Sequence, residues 1–159
     1  MLTGGASGRG IEMSVEENKA LVRRFYEEVL NKKNLAAIDQ VSAANYVDHS
    51  AQPGTPPGIA GEKAWFTMLH AAFPDGKTTI EDIVADGDKV VVRGRMTGTH
   101  KGEFLGIPAT GKKVEIRGID MIRVQNGKSV EHWGQWDTMG LMQQLGVVPP
   151  PPGPQPQRR

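Results

Sequence analysis

The sequence predicts an α+β domain in which N-terminal helices pack on one face of a curved, mainly antiparallel sheet and enclose a pocket. Apolar residues recur at helical spacing between residues 14 and 73, whereas residues 77–136 alternate with the period of two that is typical of strands. Short turns that contain glycine separate the alternating segments, as in a β-meander. Helices followed by a meander favour a fold with all its helices on one face of the sheet.

Three helices are predicted in the first half of the chain. Ser14 and Glu17 have the spacing of a capping box, and the apolar pattern that follows predicts a helix of about 16 residues. Residues 35–41 predict a short second helix. Residues 59–73 predict a third helix, which ends at Pro74-Asp75-Gly76. The stretch between the second and third helices includes a loop rich in proline and glycine.

Four strands follow, with predicted bounds at residues 78–85, 89–100, 114–124 and 129–136. Asp86-Gly87-Asp88 predicts the first turn, and Asn126-Gly127 is a strong hairpin signal between the last two strands. A last short helix over residues 139–145 is predicted to begin at a cap formed by Asp137 or Thr138 and to stop at Gly146.

The two ends of the chain differ in composition from the rest. Residues 1–12 carry four glycines and few apolar side chains, so we expect a disordered leader. Residues 148–159 are rich in proline, which cannot build a helix interior or a central strand, and are expected to form an extended, disordered tail. A single domain is therefore predicted over residues 13–147.

The composition excludes several classes of function. The chain has no cysteine, so it holds no disulfide framework, thiolate zinc site, iron–sulfur cluster or cysteine nucleophile. Its formal net charge is +1, and no apolar run approaches the ~18 residues of a membrane-spanning helix. We therefore expect a cytoplasmic protein whose partners include neither nucleic acid nor a membrane. Residues 4–10 precede no strand–helix unit and form no phosphate loop. We expect neither a cofactor nor a metal.

Three ionisable side chains fall on the apolar side of the predicted strands: His100, Asp120 and His132. A buried carboxylate is costly unless it is partnered, so Asp120 is expected to bind one of these histidines or to line a cavity. An inward histidine is alternatively an ordinary hydrogen-bonded core residue. The same side also carries glycines that leave room for a ligand, namely Gly94, Gly98, Gly118 and Gly134. The loop residue His49 is expected to cover the pocket mouth, and Asp48 to be solvated.

Several segments resemble the SnoaL-like family of polyketide cyclases, which have a nuclear-transport-factor-2-like fold. The matching segments lie at residues 46–49, 98–111, 118–120, 126–128, 131–133 and 136–146. The resemblance covers roughly residues 15–147. It implies a conical fold of helices against a curved sheet, and in the characterised cyclases a cofactor-free intramolecular aldol condensation.

The resemblance also implies an acid/base residue on the last strand and an inward histidine on the strand before it. Carried over to this sequence, the histidine position is Asp120 and the acid position is Gly134. The family acid is therefore missing, and a carboxylate stands on the neighbouring strand instead. We expect Asp120 to take over acid/base catalysis, with His132 or His100 as its partner.

The hypothesis is an acid/base enzyme that cyclises, isomerises or dehydrates a small hydrophobic polyketide-like or terpenoid-like substrate. Two alternatives stay open. The first is an epoxide hydrolase, which needs an Asp–Arg–Asp set such as Asp120, Arg117 and Asp137; Arg117 falls on the wrong side of its strand, and Asp137 is alternatively only a helix cap. The second is a non-catalytic ligand-binding dimer. The expected pocket walls are Trp65, Phe66, Met68, Met96, Phe104, Gly118, Gly134 and Trp136.

The outer side of the predicted sheet carries Ile119, Met121 and Trp133 among charged residues. Because contiguous exposed apolar side chains often mark an interface, we expect the protein to form a homodimer.

Overall fold

The computed structural model describes residues 14–150 and 152–153. Its helical segments are α1 (Val15–Phe25), a π-helical continuation (Tyr26–Asn31), a 3-10 turn (Leu35–Ala37), α2 (Ile38–Val41), α3 (Gly58–Ala72) and α4 (Thr138–Leu145). Its strands are β1 (Ser42–Asp48), β2 (Lys77–Asp86), β3 (Lys89–Thr99), β4 (Lys113–Gln125) and β5 (Lys128–Trp136). The predicted leader lies outside the described residues, and so does much of the predicted tail.

Local hydrogen bonds fix the helix ends where the sequence predicts them. The Ser14 hydroxyl accepts a hydrogen bond from the Glu17 amide, and the Asp137 carboxylate accepts one from the Gly140 amide. Gly146 has a φ of 80°, the left-handed conformation that ends α4. Within the described part of the chain, no helix is long and apolar enough to cross a membrane.

The five strands form one sheet in the order β1-β5-β4-β3-β2. β2, β3, β4 and β5 are antiparallel neighbours, whereas β1 pairs with β5 in parallel. The α+β class, the meander and its mainly antiparallel pairing are therefore confirmed.

Strand β1 is absent from the sequence prediction. Its middle residues, Ala44 and Asn45, have low strand propensity and are exposed, so the segment lacks a clear alternation. Its pairing with β5 is also irregular, with a register shift between Ser42 and Val47. The long-range pairing decides the conformation of this edge strand, because its own sequence does not.

The inner face of the sheet is the one predicted from alternation. Val90, Val92 and Val124 are buried on it, and the helical residues Val22 and Tyr26 pack against them. A second cluster joins α3 and α4 to the other end of the sheet, and contains Phe73, Met96, Phe104, Val114, Leu141 and Leu145. The space between these two clusters is the cavity described below.

Glycines on the inner face accommodate protein side chains, which corrects the prediction that they leave room for a ligand. Gly94, Gly118 and Trp136 are consecutive partners across β3, β4 and β5. The Trp136 ring lies over both glycines, and a Cβ at Gly118 would overlap it. Gly98 lies against Phe73 in the same way. The missing side chains therefore let large aromatic rings lie close to the sheet.

We expect Gly118→Ala to lower the free energy of unfolding by about 1–3 kcal/mol, because the added methyl group must displace the Trp136 ring from a packed site. Urea unfolding measures the loss. The control is Ile119→Ala, at the next residue of β4, whose side chain is 50% exposed and should cost less than about 1 kcal/mol. Equal losses in the two variants would contradict the role assigned to Gly118.

Candidate active site

A cavity of about 430 Å³ lies between the helices and the inner face of the sheet. Six of the predicted wall residues line it: Trp65, Phe66, Met96, Phe104, Gly134 and Trp136. The prediction is wrong for Met68, which packs into the α3 cluster, and for Gly118, which Trp136 covers. Mostly apolar walls with a few polar groups are typical of sites that bind small organic molecules.

The main polar group of the cavity is Asp120, which projects from β4 and is buried. Its Oδ1 accepts hydrogen bonds from His132 Nε2 at 2.8 Å and from Trp136 Nε1 at 3.1 Å, and its Oδ2 accepts one from the Tyr26 hydroxyl. These three donors satisfy most of the roughly four acceptor positions of a carboxylate. The carboxylate is thus held in one orientation and keeps limited capacity to accept a proton from a ligand.

His132 lies between two carboxylates. Its Nε2 contacts Asp120, and its Nδ1 contacts Asp48 Oδ1 at 3.0 Å. Burial alone would lower the pKa of His132, but its hydrogen bonds to the two carboxylates and their negative charges outweigh burial and raise that pKa from 6.5 to about 10. His132 is therefore an imidazolium at neutral pH, and both of its N–H groups are already donated.

Asp48 is part of this chain, which corrects the prediction that it is solvated. It is the last residue of β1, directly opposite His132 in the parallel pairing with β5. Burial raises the pKa of Asp48, but the hydrogen bond and charge of His132, with the Ser50 amide at 2.8 Å, lower it overall. The Asp48–His132–Asp120 chain thus contains one positive charge between two negative ones.

Sequence reasoning missed Tyr26 and Glu62, two cavity residues that project from helices. Burial raises the pKa of Tyr26, and the Asp120 charge raises it further, so its hydroxyl stays a neutral donor. The available signal was helical spacing: Tyr26 lies four residues after the inward Val22, and Glu62 three residues before Trp65. Tyr26 also begins the π-helical segment, a conformation that is frequent at functional sites.

Gly134 explains how Asp120 and His132 approach each other. A Cβ at this position would lie 2.8 Å from Asp120 Oδ1 and 2.9 Å from His132 Cε1. Any side chain here, including the family acid that the resemblance places at this position, would therefore push against the pair. Loss of that acid and formation of the Asp120–His132 contact are sterically linked.

His100 does not join this chain, so the prediction that three ionisable groups converge is wrong for it. The ring is fully buried beyond the end of β3, stacked on Phe73, with Nδ1 3.0 Å from the Thr110 hydroxyl. The residue of β3 opposite Asp120 is Val92, eight positions away, or about 25 Å along a strand. His100 has the right parity but lies at the wrong end of the sheet.

His49 lies on the outer face and does not cover the pocket mouth. It follows Asp48, whose side chain points inward, and successive side chains of an extended chain point to opposite faces. The ring stacks on Trp133 with centroids 4.6 Å apart, and its Nε2 is 3.1 Å from Glu131.

The Asp–Arg–Asp set of an epoxide hydrolase is not assembled. Arg117 is half-exposed on the outer face and pairs with Glu81 and Glu115. Asp137 is an exposed helix cap. Across residues 14–150 and 152–153, no three carboxylate or histidine side chains form a group with the geometry of a metal site.

Comparison with known proteins agrees with this geometry. Residues 20–145 match the family described as SnoaL-like polyketide cyclase. The chain belongs to this family. A SnoaL-like relative, the aklanonic acid methyl ester cyclase DnrD of Streptomyces peucetius, is 30% identical over 83% of the chain and 92% of its own length. A second, DauD of Streptomyces sp. strain C5, is named for the same activity and is 31% identical over 83% of each protein.

The fold is shared with solved SnoaL-like structures. TsrD from Streptomyces laurentii superposes with a TM-score of 0.80 at 28% identity, covering 86% of this chain and all of TsrD. The predicted family and fold class are therefore confirmed.

We expect His132→Gln to lower the free energy of unfolding by about 3 kcal/mol near neutral pH, because it leaves two buried carboxylates without their shared cation. The pKa of His132 is raised on folding, so its stabilisation is complete below pH 6.5 and is lost as the pH rises through about 10. The difference between wild type and variant should shrink over that range.

Urea unfolding at several pH values tests this prediction. His49→Gln is the matched control, because His49 and its Glu131 contact are partly exposed, and should cost less than about 1 kcal/mol. A difference between wild type and His132→Gln that does not change with pH would show that His132 is not held as a cation.

Proposed function

We propose that this protein catalyses a cofactor-free intramolecular cyclisation of a polyketide substrate, with Asp120 as the acid/base group. The observation that carries the proposal is a carboxylate fixed in the wall of a largely apolar cavity by Tyr26, His132 and Trp136. Family membership supports cyclase chemistry in general.

The proposed reaction needs only proton transfers. A polyketide carries C–H groups between two carbonyls, and Asp120 removes a proton from such a carbon. The resulting enolate attacks a second carbonyl of the same molecule, which forms one carbon–carbon bond and converts that carbonyl to an alkoxide. A proton returned to the alkoxide completes an isomerisation with no oxidant or reductant. General acid/base catalysis of this kind typically contributes 10²–10⁴-fold.

His132 acts in this proposal as a positioning residue. Both of its N–H groups are donated to carboxylates, so none is left for the substrate. Its charge keeps Asp120 ionised, while Tyr26 and Trp136 fix the orientation of the carboxylate. The apolar walls exclude water, which strengthens these interactions.

We expect Asp120→Asn to reduce turnover by roughly 10²-fold or more, because an amide cannot accept the substrate proton. Aklanonic acid methyl ester, which the two curated relatives are named for, is the first substrate to assay. Product formation is followed by liquid chromatography with mass spectrometry; a cyclised product has the mass of the substrate. Asp82→Asn, an exposed change on the outer face, is the control. Equal turnover by Asp120→Asn and wild type would remove Asp120 from the mechanism.

A second candidate is ligand binding without catalysis. The observation that favours it is Gly134, which occupies the position where the resemblance places the family acid. The same assay separates the two functions, since saturable binding of the probe without product would support a binding protein.

We also propose a homodimer formed through the outer face of the sheet. Val91, Met121 and Trp133 are consecutive partners across β3, β4 and β5, and Ile119 is 50% exposed beside them. An apolar row of this kind is typical of an interface. We expect sedimentation to give a dimer at micromolar concentration, and Met121→Lys to give a monomer with an unchanged circular dichroism spectrum. A wild-type monomer would contradict the proposal.

A further inference from the structure

Glu62 is a buried carboxyl group that the proposed chemistry does not yet use. It lies near the start of α3, is only 8% exposed, and lines the cavity from the helical side, whereas Asp120 lines it from the sheet. Among the residues that the structure describes, its Oε2 has no hydrogen-bonding partner. A buried polar atom without a partner is rare, and in a cavity it indicates a group that a ligand satisfies.

The surroundings of Glu62 favour its neutral form near neutrality. Burial raises the pKa of Glu62; the Ser42 hydroxyl and the His132 cation lower it, and the Asp48 charge raises it, with a net value of about 7. A substantial fraction of the protein therefore carries a protonated Glu62 at pH 7. A neutral carboxylic acid is a hydrogen-bond donor and a proton source.

The cavity thus contains two carboxyl groups in unlike environments. Asp120 accepts three hydrogen bonds and lies beside an imidazolium, whereas one oxygen of Glu62 is unpartnered and buried. Two carboxyl groups in contrasting environments are the usual arrangement for a separate base and acid. Both face the same space, so one bound molecule can contact them together.

We propose that Glu62 is the general acid that protonates the alkoxide formed in the cyclisation, and that Asp120 is the base. The inference rests on the proposed function. Asp120 takes a proton from carbon, the new carbon–carbon bond forms, and Glu62 gives its proton to the alkoxide oxygen. The enzyme is left with protonated Asp120 and ionised Glu62, and proton exchange with water restores both. The preferred ligand therefore places a carbonyl oxygen at Glu62 and an acidic C–H at Asp120.

The test compares Glu62→Gln with wild type in turnover of aklanonic acid methyl ester. We expect kcat to fall about 10²-fold while KM changes less than about twofold, because the amide keeps a hydrogen-bond donor but transfers no proton. Wild-type kcat should decline as the pH rises above about 7, where Glu62 loses its proton, and this decline should be absent in Glu62→Gln. Glu27→Gln, an exposed change on the helical layer, is the matched control.

A readout without substrate complements the kinetics. The infrared spectrum of wild type near pH 7 should contain a carbonyl band of a buried carboxylic acid that is missing in Glu62→Gln. Absence of this band, or equal kcat and pH profiles in both proteins, would overturn the role of Glu62 while leaving Asp120 untouched. If wild type gives no cyclised product while Asp120 and Glu62 keep their protonation states, the proposed function itself fails, and the assignment of Glu62 fails with it.

Discussion

The charge of His132 between Asp48 and Asp120 is the interaction on which the candidate site depends. Two carboxylates at the wall of an apolar cavity would repel each other and lose much of their hydration, at a cost of several kcal/mol per uncompensated charge. The imidazolium bonds to both and couples the edge strand β1 to the centre of the sheet. The same contact therefore positions a chemical group and holds the irregular β1–β5 pairing in register.

Space on the inner face is distributed by glycines. Gly94 and Gly118 let Trp136 lie flat over the sheet, with its N–H directed at Asp120. Gly134 lets Asp120 and His132 meet, since any Cβ there would contact both. The cavity exists because helices α1 and α3 hold apolar side chains away from this floor, and they also supply two polar groups, Tyr26 and Glu62. Base, positioning cation and acid thus come from two different layers of the fold.

Sequence reasoning recovered much of this fold and part of the site. Alternation identified the inner face correctly, so Asp120 and His132 were expected to meet, and they do. Parity says which face a side chain is on but not how far along the sheet it lies, and this is why His100 was wrongly grouped with them. His49 was misplaced because the strand that precedes it, β1, was not recognised.

The sequence by itself determined the elements whose signals are local: the helix capped by Ser14, the stop at Gly146, the Asn126-Gly127 hairpin and the alternating strands. Each depends on steric preferences and hydrogen bonds within a few residues. Only the tertiary structure decided the pairing of β1, the partner of Asp48, the placement of Trp136 over two glycines and the burial of Glu62. These features depend on contacts between segments far apart in the chain, whose energies no local pattern encodes.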